Sequence, residues 1–91
     1  MKDKRNPLLE RHNSLTHSED KKVTSHVQRD EGEWIRHTLM LENVDVPFVF
    51  RRKKPYQRLV GARVNVTYYP QSEIVAGIEF EFMKVVRIRR A

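Results

Sequence analysis

Cationic side chains set beside aromatic rings are the chemically most productive pairing in this sequence of 91 residues. Arg51, Arg52, Lys53, Lys54 and Arg58 lie close together with Tyr56 among them, and Arg87, Arg89 and Arg90 form a second cluster. Such cations neutralise phosphates and release counterions, while a ring stacks on a base, so the combination suits a strand of nucleic acid. Arg36, Arg63, Tyr69 and Trp34 extend the set along neighbouring alternating runs. The expected ligand is RNA or single-stranded DNA, bound without chemistry. The same charges also fit a solvated loop that blunts a sheet edge, or a surface for other anions.

Other chemistries lack their parts. There is no cysteine, so no thiol nucleophile, disulfide or cysteine-ligated metal. No glycine-rich phosphate loop or histidine-carboxylate metal motif occurs. No catalytic residue, metal site, cofactor or small-molecule substrate is therefore expected. Glu79 and Glu81 stand two apart, at roughly 7 Å on a strand, a spacing open to acid-base work. The outward face of a half-buried strand explains them more simply. His12, His17 and His26 have spacings that put no pair on one helical turn, so they read as solvated side chains rather than ligands. His37 is a lone histidine on an otherwise apolar face; no base or nucleophile is identifiable beside it, and a satisfied structural imidazole accounts for it.

Charge and hydrophobicity divide the chain at the same place. Residues 1–33 hold seven basic and seven acidic side chains, so the net charge of +6 falls on residues 34–91. All eight aromatics lie from Trp34 onward. With Met1, Leu8, Leu9, Leu15, Val23 and Val27 as its only large apolar groups, the first segment cannot offset a backbone ordering cost of roughly 1–2 kcal/mol per residue. Residues 1–33 are therefore expected to be a disordered, charge-neutral tail, with at most a transient turn at Asn6-Pro7. Leu8-Leu9 is no apolar signal region, and no run of about 18 apolar residues occurs, so a cytoplasmic protein without membrane insertion is expected.

Residues 34–91 must position the cations. From Trp34 the pattern has period two, the mark of strands. Ile35, His37, Leu39 and Leu41 share one face, and Val46, Phe48 and Phe50 another, with Glu42-Asn43-Val44-Asp45 as the turn. Matching the apolar faces sets Leu41 opposite Val46, Leu39 opposite Phe48, His37 opposite Phe50 and Arg36 opposite Arg51. Like charges across a sheet are unfavourable, which a bound anion between them would relieve. Ala62, Val64, Val66 and Tyr68 form a further inward face, and Pro70-Gln71-Ser72 reads as punctuation. Ile78, Phe80, Phe82, Val86 and Ile88 keep one phase in a long final strand with a bend or bulge near Lys84, leaving Met83 and Val85 outward. The second hairpin should place Phe80 opposite Val64 or Val66, around a loop near residues 70–76.

Four to five short strands make an all-β class: a small antiparallel, strongly bent sheet or half-closed barrel, SH3-like or OB-like. The run from Leu59-Val60-Gly61 to Val66 resembles the loop-glycine-strand entry of such barrels. A domain of about 58 residues buries only about 60% of its unfolded surface, so edge-strand dimerisation would add burial. A protein-interaction module, docking or dimerising through an edge, is the alternative to nucleic-acid binding.

Overall fold

The computed structural model describes residues 15–54 and 57–91. The expectations for residues 1–14, including the turn at Asn6-Pro7 and His12, and for Tyr56 lie outside the described residues. Five strands follow in order: β1 (Thr16–Glu31), β2 (Trp34–Leu41), β3 (Phe48–Arg52), β4 (Arg63–Val75) and β5 (Ile78–Arg90). They form one sheet in the order β1-β2-β3-β5-β4, and β4 returns to β1, so the sheet is a near-closed ring. Four of its seams are antiparallel. The fifth, β3 with β5, is parallel and short, with Phe48 opposite Met83 and Val49 opposite Lys84, so the sheet is mixed rather than wholly antiparallel. The Met83 amide donates to the Pro47 carbonyl at 2.8 Å beside that seam.

The expected boundary at residues 33 and 34 is corrected: residues 16–31 are a strand, not a tail. Only Val23 and His26 of β1 are buried, so its own sequence supplies little apolar driving force. Its order comes from partners on both sides, β2 along Val23–Glu31 and β4 along Thr16–Lys22. Register shifts between Ser18 and Lys21 and between Val23 and Ser25 bend the strand so that it can reach both. Asp20 takes φ +59° in the first of these, and its amide donates to Asn65 Oδ1 at 2.9 Å. Gly32, at φ +83°, makes the tight turn into β2.

The β2–β3 register is as expected from Arg36 facing Arg51 through His37 facing Phe50 to Leu39 facing Phe48; β3 starts at Phe48, so the expected pair of Leu41 with Val46 is corrected. The β4–β5 register is not as expected. Asn65 faces Arg89, Tyr69 faces Lys84 and Val75 faces Ile78, so β4 runs straight through Pro70. The hairpin closes on Ala76-Gly77, both at positive φ, as a twisted two-residue turn requires. Pro70 fits because β1 starts opposite Tyr68, so among the described residues no strand lies on that edge to need its N–H. A register shift between Thr67 and Tyr68 leaves Val86 unpaired. That bulge swaps the phase of β5: Val85 is buried and Met83 packs on the core, while Ile78, Phe80 and Val86 are half exposed or more. The expected core face of β5 is thus corrected except at Ile88, which packs on the core, and Met83 and Val85 face inward rather than outward.

The core contains Val23, Leu39, Leu41, Phe48, Phe50, Leu59, Val64, Val66 and Val85. The Phe48 and Tyr68 rings meet edge to face, with centroids 4.8 Å apart. Beyond Tyr68 and before Met83, β4 and β5 pair only with each other among the described residues, as a two-stranded ribbon.

Candidate nucleic-acid interface

The ring wall turns alternate side chains outward, and these carry the cations. Arg36 and Arg51 point out side by side, and the anion between them is the chain's own. Glu31 reaches both, at 3.0 Å from Arg51 Nε and 3.9 Å from the Arg36 guanidinium. Glu73 adds a 3.1 Å contact to Arg36. The like-charge pair therefore needs no external ligand. Lys84, not among the expected site residues, stands near the same row. Burial pushes its ammonium below the usual lysine range, and the charges of Arg51, Arg36 and Arg52 push it further.

The remaining residues of the first cluster are dispersed. Arg52 lies 5.0 Å over the Phe50 ring and donates to the Arg51 carbonyl at 3.0 Å. Lys53 Nζ sits 5.4 Å from the Trp34 ring centroid, and that ring is 41% exposed. Lys54 and Arg58 are exposed. Arg63 donates to the Asp20 carbonyl at 2.9 Å and lies 3.7 Å from the Asp20 carboxylate and 3.5 Å from that of Glu42.

The second cluster is held differently. The register sets Asn65 beside Arg89 and Thr67 beside Arg87, all facing outward, with Tyr69 beside Lys84 continuing that face. Arg87, Arg89 and Arg90 line a cleft of about 470 Å³ together with His17, Glu19, Asn65 and Thr67. Glu19 is taken up by His17 Nε2 at 3.1 Å, and His17 Nδ1 is 2.8 Å from Thr67 Oγ1. Among the described residues, no carboxylate stands at ion-pair distance from these three arginines. Among the described residues, none of the Arg51–Arg58 loop lines this cleft, so Arg51, Arg52, Lys53, Lys54 and Arg58 do not join Arg87, Arg89 and Arg90 in one site.

Inside the ring, behind Arg36 and Arg51, lies a pair of histidines. His26 Nε2 is 2.9 Å from His37 Nδ1, and the Leu59 amide donates to His26 Nδ1 at 3.0 Å. An acceptor role at His26 Nδ1 places the proton on Nε2, which donates to His37 Nδ1, so both rings are neutral in this arrangement. His37 stacks on Phe50 with ring centroids 4.7 Å apart. Burial holds both imidazoles below their ordinary pKa. The Arg58 charge adds to this at His26; His26 and then Arg52 add to it at His37, against the backbone of Lys54. His26 had been placed in the tail. The signal that could have found it is His37 itself, since a polar group on a core face requires a partner.

No family model, curated protein or solved structure matches this chain.

Proposed function

We propose that this protein is a non-enzymatic binding module for single-stranded nucleic acid, RNA or DNA, held by its phosphates along the outer face of β4 and β5. One observation carries the reading. Three arginines converge on a single polar cleft in which, among the described residues, the one carboxylate is hydrogen-bonded by a histidine. Guanidinium groups bind phosphate through paired N–H donors, and Asn65 and Thr67 add neutral hydrogen-bonding groups beside them. Trp34 and Tyr69 stay as candidate stacking rings. Arg36 and Arg51, neutralised by Glu31 and Glu73, and Arg63, held by Asp20 and Glu42, are already paired within the chain and stay outside this interface.

Fluorescence anisotropy with labelled mixed-sequence RNA and single-stranded DNA tests this. Binding is expected at low salt, with log affinity falling linearly in log salt and a slope of about −2 for three neutralised phosphates. No binding to either oligonucleotide at low salt overturns the reading.

A further inference from the structure

The ribbon formed by residues 70–83 is the most exposed apolar feature of the described chain. Ile74 is 74% exposed, Ile78 58%, Val75 51% and Phe80 50%. Among the described residues, neither edge of the ribbon has a strand partner, and a two-stranded ribbon alone is marginal in water. It also carries Glu73, Glu79 and Glu81 and no cation. The register places Ile74 opposite Glu79 and Ser72 opposite Glu81, so one face presents an isoleucine flanked by two carboxylates. Among the described residues, neither Glu79 nor Glu81 has an ion-pair partner.

The far end of the same two strands is the complement. There, Leu59, Val64, Ile88 and Gln57 line a hollow of about 230 Å³ rimmed by Arg89 and Arg90. It has an apolar floor and a cationic edge, where the ribbon has an apolar tip and anionic flanks. Tip and hollow lie at opposite ends of β4 and β5, so one chain cannot bring its own pair together. Two chains side by side in opposite directions bring both pairs together at once. Such a two-fold arrangement satisfies both contacts and leaves none free to propagate a filament.

We infer that this face is a docking surface for a second copy of the chain, with the Ile74 tip of each copy seated in the partner's arginine-rimmed hollow as a reciprocal dimer. The inference stands apart from nucleic-acid binding, though Arg89 and Arg90 border both sites.

Sedimentation velocity of the full chain at low and high salt tests it. A dimer of the 10.9 kDa protomer is expected at low salt, dissociating as salt rises. Ile74→Ser and Arg89→Glu should each give a monomer, and the double variant Glu79→Arg/Arg89→Glu should restore the dimer. Ile74 is mostly exposed, so its variant is expected to fold, and circular dichroism checks this for all three. A strict monomer at high protein concentration and low salt overturns the proposal. So do Ile74→Ser remaining dimeric, failure of the charge exchange to restore association, or open-ended assembly in place of a dimer. Ile74→Ser should leave oligonucleotide affinity unchanged, which separates failure of this proposal from failure of the binding reading.

Discussion

Two flanks of the ring carry arginine, and they differ in what stands beside the charge. On β2 and β3, Arg36 and Arg51 share Glu31, and Arg36 also holds Glu73. On β4 and β5, Arg87, Arg89 and Arg90 face Asn65, Thr67 and a histidine that has already engaged the one carboxylate. A count of formal charge treats the two flanks alike. The lesson is that a cation recruits an outside anion only where the fold has not brought it one. The interior differs too: behind the neutralised flank the core holds two imidazoles kept uncharged, in part by Arg52 and Arg58.

The largest expected effect concerns that neutralised flank. Both histidines have folded-state pKa values below the ordinary 6.5, so around and below that pH the unfolded chain binds more protons than the folded one. Their contribution to stability is complete above about pH 6.5 and is lost as pH falls below it, by up to about 2.7 kcal/mol per pH unit while both titrate. Urea unfolding from pH 7.5 to 5 measures this slope. A His37→Phe variant, which removes one titrating ring, should flatten it, and an unchanged slope would break the proposed difference between the flanks.

Next in size is the binding contrast. Arg87→Ala/Arg89→Ala should cut the magnitude of the salt slope of oligonucleotide binding by about 1.4, leaving that of one contact, whereas Arg36→Ala/Arg51→Ala should leave it unchanged. Anisotropy titrations at several salt concentrations decide this, and equal losses from the two pairs would erase the distinction. A smaller effect comes from Glu31→Gln. With the carboxylate gone, Arg36 and Arg51 repel each other across the strands, costing about 1 kcal/mol in chemical denaturation. The same variant should bind oligonucleotide more tightly, because it turns a closed flank into an open one. Smallest is Arg63→Ala, whose exposed contacts to Asp20 and Glu42 predict a stability change within about 0.5 kcal/mol and unaltered binding.

What could be read in the chain beforehand follows the same division between local and long-range causes. The β2–β3 pairing was legible to the residue, because His37 and Leu39 alternate cleanly against Phe48 and Phe50 and Asn43 marks the turn at φ +64°. β1 was not, because Val23 and His26 are its only buried side chains and its order is supplied by its partners, β2 across the Gly32 turn and β4 far along the chain. The β4–β5 register was hidden twice. Pro70 reads as a loop residue unless one knows that its edge is free, and the bulge at Val86 moves Val85 inward against the even-numbered phase. Of the candidate site, the Arg87–Arg90 cluster was visible as composition. That Glu31 and Glu73 occupy Arg36 was not, since Glu31 arrives through the β1–β2 hairpin, a strand pairing the composition of residues 16–31 does not announce, and Glu73 arrives from β4, far along the chain.

The place of β5 between β3 and β4 has a consequence for how the ring closes. Residues 78–90 are the keystone: without them β3 and β4 each keep an open edge, and Phe48, Val64 and Val66 lose the cover of Val85. Until those residues dock, β1 to β4 are an unsealed sheet whose edges are most open to capture by neighbouring chains.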